Sequence, residues 1–452
     1  MRVLPTLSLS LLLGAAPICG PIDLDGALAL AGRNGDEVAI RRAELRAAEA
    51  DQALARAARI IPSATLTFLT GPVPEAKGTI LEPKTSTNRT LSGLGPFFRS
   101  ELQVVQPLYT WGRLDAARDA ADAGVKARGL LVTDKLAELQ LRVVQLWWGE
   151  ATARKLLAIA DDVEKNLGEV DKRLAEALES GDGSVKQADR YRLDLYKAQL
   201  RKRRAEASRG LALAHDGLAA TTALLPEELQ LKDAPLPLEP GEAPALEQAR
   251  AAAVEHRPDL AALDEAIAAK DAELVAVSGS MKPQLFLAGS FTFAYAPNRS
   301  PQFNPWAYDP FNTVGGGVAL GIRQDLAFPL LLAQAGKARA ERETLRRQRD
   351  GLARLVTVQV ESAVADVVQA RERLAAARAA LGSGKSWFRS AGLDFEAGVA
   401  EPKELLDAYA GYVETQVEQA QAAYDLLLAR ARLDQATGAP PRKGSDPCPP
   451  SR

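Results

Sequence analysis

Hydrophobic residues along this chain recur with two different periods. Over 63–70, Ala64, Leu66 and Phe68 alternate with Ser63, Thr65 and Thr67, the period of two that sends successive side chains to opposite faces of a strand. Over 114–179 there is no proline, and Ala, Leu, Glu, Lys and Arg dominate; these are the strongest helix formers. Within it Val163, Leu167, Val170, Leu174 and Ala177 are spaced 4, 3, 4, 3, the heptad spacing that keeps one seam against a neighbouring helix. At about 1.5 Å per residue such a helix runs roughly 100 Å, which predicts an elongated body.

The two kinds of segment follow a fixed order. A short helix over 22–34 and a second over 37–60, stopping before Pro62, lead into the strand at 63–70. A Pro-, Gly- and Ser-containing loop follows over 71–96, then a returning strand over 99–109, where Leu102 and Val104 alternate with Glu101, Gln103 and Val105 until Pro107. The long helix breaks at Ser180-Gly181-Asp182-Gly183-Ser184, a turn signal, and a second helix returns over 185–224. After a proline-rich linker the order begins again: helices at 244–255 and 257–280, strands at about 284–295 and 314–326 around a polar loop, and helices over 330–395 and 403–437. In the seventh of these helices Val356, Val360, Ala363, Val367, Ala370 and Leu374 again follow heptad spacing. Gln106 and Gln324 lie 218 positions apart, and Gly181 and Gly398 lie 217 apart, so about 200 residues are duplicated. The expected division is a signal peptide at 1–20, a first repeat at 21–224, a linker at 225–243, a second repeat at 244–438 and a disordered Pro-rich tail at 439–452.

Composition narrows the function. Apolar residues make up 47% of 452, and the formal net charge is −2, so no basic surplus points to nucleic acid. Met1-Arg2, the apolar run 3–13 and Gly14-Ala15-Ala16 have the layout of a secretory signal peptide. Cys19 raises lipid attachment, but Ile18 stands where a small residue belongs, and removal with the signal is the reading adopted. Cys448 is the one other cysteine, so no disulfide framework or cysteine metal site is expected. No cofactor is implied, and no nucleophile, base and orienter share a motif, so an enzyme is not expected. Trp147, Trp148, His215 and His256 are read as packing or solvated residues.

No later stretch holds eighteen consecutive apolar residues, so any membrane crossing is by strands. Four strands of membrane length cannot close a barrel, and an open sheet edge in lipid leaves backbone groups unsatisfied. Three copies supply twelve strands, enough to begin leaving a lumen, whereas eight are filled by side chains. A soluble sheet capping a coiled coil is the plainer alternative. The fold class expected is mainly α with a membrane β-barrel portion: a duplicated strand-hairpin and helical-hairpin unit, completing a twelve-stranded trimeric barrel continued by an α-helical barrel.

With its duplicated order, the junction Gln106-Pro107-Leu108-Tyr109-Thr110-Trp111-Gly112-Arg113, and Ala397-Gly398 followed by Leu405-Leu406-Asp407-Ala408, the chain resembles the TolC-like outer-membrane efflux family over 22–438. The second junction, Gln324-Asp325-Leu326-Ala327-Phe328-Pro329-Leu330, lacks the Gly-Arg pair, which leaves its geometry open. The resemblance implies a homotrimeric exit duct in the outer membrane, in contact with its lipid and extending into the periplasm, joined through a periplasmic adaptor (membrane fusion) protein to an inner-membrane pump. It implies that Glu404 and Asp407 narrow the periplasmic end as a gate, with rings of negative charge that favour cations. Acids also suit any helix N-terminus, and the first-half counterparts are Gln187 and Arg190. It implies adaptor docking at the hairpin tips, Gly181, Gly398 and Val399, although helical turns favour glycine in any case. The rival function is a periplasmic coiled-coil adaptor or scaffold without a pore.

Overall fold

The computed structural model describes residues 21–61, 63–78, 93–179, 186–239, 242, 244–302, 306, 308–397 and 399–442. The signal-peptide expectation, Cys19 and Cys448 lie outside the described residues. In chain order the elements are α1 (Leu24–Asn34), α2 (Asp36–Ala57), β1 (Ser63–Val73), β2 (Gly95–Tyr109), α3 (Arg113–Glu179), α4 (Gln187–Thr222), α5 (Leu246–His256), α6 (Pro258–Ser280), β3 (Gln284–Tyr295), β4 (Thr313–Arg323), α7 (Phe328–Glu396) and α8 (Pro402–Ala436). The order helix, helix, strand, strand, helix, helix therefore occurs twice. Two compact units form: a helical one from residues up to Arg42, Leu130–Ala261 and from Gly351 onward, and a sheet-containing one from Ala43–Gly129 and Ala262–Asp350.

The heptad positions of the long helices make the core of the helical unit. Ile159, Val163, Leu167, Leu174 and Leu193 pack α3 against α4, with Tyr409, Val413 and Val417 of α8 against them. Val367, Ala370 and Leu374 pack α7 against Ala422, Ala423, Leu426 and Ala429 of α8. Small residues here let backbones approach: a Cβ on Gly384 would meet Thr415 Oγ1 at 2.9 Å. The short helices fill the gaps between long ones. Ala27, Leu28, Ala31 and Val38 are buried on Leu139, Val143, Trp147 and Leu218, and Ala249, Ala253 and Leu260 on Val356 and Val360. Residues 439–442 at the start of the Pro-rich tail are held here too: Gln140 Nε2 donates to Arg442 O at 2.8 Å, and Arg442 N–H donates to Gln140 Oε1 at 3.0 Å.

In the other unit the four strands form one antiparallel sheet in the order β1-β2-β3-β4. Its register sorts the side chains cleanly. One cross-strand row reads Leu66, Leu102, Phe291, Gly316, and the next reads Phe68, Ser100, Phe293, Val314. A third is Ala64, Val104, Gly289, Val318. The rows between them belong to the opposite face: Thr65, Gln103, Ser290, Gly317, and Thr67, Glu101, Thr292, Gly315. One face is thus largely apolar, and the central rows of the other are small and polar, with Arg99 paired to Glu101 at 3.2 Å; Leu69, Val105 and Phe286 also lie on that second face. Leu66, Phe68, Val314, Val318, Leu320 and Ile322 on the apolar face are exposed. In water, a continuous apolar face of this kind is unstable unless something covers it.

Local departures from the expected boundaries have local causes. Strand β2 ends at Tyr109, as expected, but begins at Gly95 rather than at 99, and it passes through Pro107 with a register shift between Pro107 and Tyr109; a proline without an N–H is tolerated at such a bulge. Helix α2 ends at Ala57 rather than at 60, closed by Ile60 N–H to Ala57 O at 3.0 Å. Ile61 then takes φ 45°, held by Gln106, whose Oε1 accepts from Ile61 N–H at 2.6 Å while Nε2 donates to Arg59 O at 2.9 Å. Strand β4 stops at Arg323 rather than at 326, because Asp325 Oδ1 accepts from Ala327 N–H at 2.9 Å and turns the chain into α7.

Candidate functional site

The candidate site lies in the helical unit, where α3 ends, α4 begins, α7 ends and α8 begins. Each return helix opens with its own N-terminal chemistry. At α4, Lys186 N–H donates to Asp189 Oδ2 at 3.0 Å, and Asp189 N–H to Lys186 O at 2.9 Å, so the carboxylate satisfies a backbone donor that the helix cannot. At α8, Glu401 is the N-cap, Pro402 opens the first turn and Glu404 is its acid. Proline fits there because a backbone N–H in the first turn has no intrahelical acceptor, so lacking one costs nothing.

Glu404 and Asp407 are three apart on α8 and so share a side of it, but they meet different surroundings. Glu404 is exposed. Asp407 is partly buried between Leu406 and Ala408, both buried, and its Oδ1 accepts the Tyr196 hydroxyl of α4 at 2.9 Å. Burial, and then the hydrogen bond to Asp407, push the Tyr196 hydroxyl above its usual range. Further along α8, Tyr409 OH accepts from Asn166 Nδ2 of α3 at 2.8 Å. The Phe388 ring of α7 packs against Tyr409 at 5.1 Å and stacks on Tyr412 at 5.8 Å. The start of α8 is therefore tied to three other helices.

The hydrogen bonds of Tyr196 and Asn166 are absent from the sequence reading. Their signal was available: Tyr196 occupies the heptad face that Leu193 and Leu200 continue, and a tyrosine on a buried seam needs a partner for its hydroxyl. Of the tip residues, Gly181 and Gly398 lie outside the described residues. Val399 is 82% exposed, and its N–H donates to Asp394 O at 2.9 Å, closing the end of α7. Among the described residues no group of His, Cys, Asp and Glu could hold a metal ion, and no helix is long and apolar enough to cross a membrane.

Comparison with known proteins extends these observations. Residues 249–439 match the family model described as outer membrane efflux protein. No curated protein matches the chain by sequence. Among solved structures, the outer-membrane channel OprN is 18% identical with a TM-score of 0.71, over 94% of this chain and 91% of its own. CusC, a protein described as forming a transmembrane channel, is 16% identical with a TM-score of 0.73, over 93% of both chains. The MtrE outer membrane channel of Neisseria gonorrhoeae, in an open state, is 17% identical with a TM-score of 0.73, over 93% of this chain and 90% of its own.

Proposed function

We infer that this chain, a TolC-like outer-membrane efflux protein, acts as one of three identical protomers of a passive outer-membrane duct. The observation that carries the reading is the sheet: four antiparallel strands of 11, 15, 12 and 11 residues with an exposed apolar face, an opposite face whose central rows are small and polar, and, among the described residues, two unpaired edges. Those lengths suit tilted membrane strands. Free edges cannot stay open in lipid, and three copies close them into a ring wide enough for a lumen. The apolar face then meets lipid, and the row containing Glu101, Thr292 and Gly315 lines the interior. The family match and the similar channel structures give the pore-less adaptor reading no support.

Gating and docking belong to the helical hairpin ends. With three copies, Glu404 and Asp407 form acidic rings that favour cations, and the Tyr196 bond holds α8 in place against α4. Exposed Val399, beside Gly398 and paired in the duplication with the Gly181 tip, is part of the surface offered to a periplasmic adaptor, and through it to a pump. The protein itself performs no chemistry; the pump supplies the driving force.

The experiment is single-channel conductance in planar bilayers, with Glu404→Gln and Asp407→Asn. Cation-selective conductance that loses selectivity in the double variant supports the gate, and unchanged selectivity removes it. For docking, Val399→Asp is expected to lower adaptor co-purification while leaving conductance as it was.

A further inference from the structure

The two strand-to-helix junctions of the sheet-containing unit are counterparts in the duplication, yet they are built differently. After β2 the chain turns through two left-handed residues, Trp111 at φ 53° and Gly112 at φ 76°. Trp111 thereby folds onto the segment leading into β3: its Nε1 donates to Pro283 O at 2.6 Å, and Lys282 Nζ lies 5.0 Å from the ring centre. The end of one strand rests on the lead-in to its neighbour. Between β4 and α7 no residue is left-handed, and Leu326, Phe328 and Leu330 are exposed, Leu326 to 73%.

The duplication places Ile61-Pro62 where Lys282-Pro283 stands. Ile60 and Ile61 are exposed as well, at 73% and 51%. Strands β1 and β4 are the two outer strands of the sheet, so among the described residues of one copy β4 has no neighbouring strand to lie on, and β1 has none to receive. In the β2–β3 pair the contact is made inside the chain; in the β4–β1 pair both halves of it are bare and apolar.

We propose that Leu326 and Phe328 of one copy close on Ile60 and Ile61 of the next, an apolar clasp in place of the Trp111–Lys282 contact. The proposal rests on the trimeric reading above. Around a ring of copies sharing one axis, β1 of the next copy runs antiparallel to β4. Antiparallel pairing sets the C-terminal end of β4 beside the N-terminal end of that β1, which is where the two apolar groups lie. The second junction lacks the Trp-Gly-Arg turn because its partner is another chain: it has no lysine to cover with an indole ring and offers the apolar Leu326 and Phe328 to the aliphatic Ile60 and Ile61. Removing both groups from water together drives their contact.

The test is disulfide trapping in isolated outer membranes, using the full chain with Cys448→Ser. Ile61→Cys combined with Leu326→Cys is oxidised beside each single variant, and beside Ala64→Cys paired in turn with Val318→Cys, Leu320→Cys and Ile322→Cys along the strand edges. The proposal expects the 61–326 pair to give a covalent ladder ending at three chains, with no ladder from either single variant. Ladders from an edge pair but none from 61–326 overturn the clasp and leave the trimer standing; strong quenching of Leu326→Trp by brominated phospholipid then assigns the apolar run to lipid. Loss of every ladder together with a monomeric mass overturns the clasp and the trimeric reading at once.

Discussion

The Tyr196 hydroxyl of α4 donates to Asp407 Oδ1 of α8 at 2.9 Å, joining a partly buried seam position of the first repeat to a candidate gate acid of the second. Tyr196→Phe keeps the ring in the seam and removes the donor. The expected cost is about 1 kcal/mol of stability, with more frequent opening in bilayer recordings because α8 loses a tether. Wild-type opening in that variant reduces Tyr196 to a packing residue. The pH dependence follows from the raised hydroxyl pKa of Tyr196. A value higher in the folded than in the unfolded state makes the contribution whole below about pH 10, the ordinary tyrosine value, and lost as pH rises through the folded value. Opening attributable to this bond is therefore expected only at strongly alkaline pH.

The two faces of the sheet respond oppositely to charge. Val318 lies in the apolar row with Ala64, Val104 and Gly289, whereas Thr292 lies in the polar row with Thr67, Glu101 and Gly315. Val318→Arg is expected to cost roughly 2–4 kcal/mol if that position meets the middle of the bilayer, read as reduced assembly into the outer membrane. Thr292→Arg is expected to assemble and to change conductance. Equal tolerance of both variants means that lipid does not cover the apolar face.

The first junction is tight at Gly279. A Cβ there would stand 3.0 Å from Arg113 Cβ and 3.2 Å from Trp111 O, so the backbone of the turn must give by a few tenths of an ångström to admit it. Gly279→Ala is expected to lose roughly 1–3 kcal/mol by overpacking, exceeding the approximately 1 kcal/mol that alanine gains in a helix. Denaturant unfolding measures the balance, and net stabilisation shows that the junction yields.

In the helical unit Asp134 lines a cavity of about 870 Å³ with His256, Arg257, Asp366 and Arg432. Burial raises its carboxyl pKa, nearby Asp259 adds to the rise, and Arg257 opposes it. Arg257 is itself engaged with Asp259, at 3.0 Å and 2.6 Å. A raised folded value means that ionised Asp134 costs stability: its favourable contribution is present below the ordinary carboxylate range and disappears as pH rises. Asp134→Asn is expected to raise thermal stability at pH 7 and to give no gain near pH 3. A variant less stable at pH 7 shows that the carboxylate is a needed charge.

Much of the fold was legible because its determinants are periodic. The alternation around Phe291 and Phe293 marks β3, and the spacing from Val356 to Leu374 marks the buried seam of α7. What stayed hidden depends on partners distant in sequence or on a local turn. Ile61 needs Gln106 to hold its left-handed turn, Pro107 sits in a bulge that only register reveals, and Asp325 ends β4 early by capping Ala327. At the site, the i, i+3 spacing put Glu404 and Asp407 on one side of α8. The hydrogen bond of Asp407 to Tyr196 spans 211 positions, and no local pattern encodes it.

The central claim is a closed ring of three chains in the outer membrane, and its most direct test is the mass of the native protein solubilised in detergent from that fraction. A species of three chain masses, recovered from outer membranes, is the predicted result. A soluble periplasmic monomer or dimer contradicts it, because the two free edges of the sheet would then need no second copy.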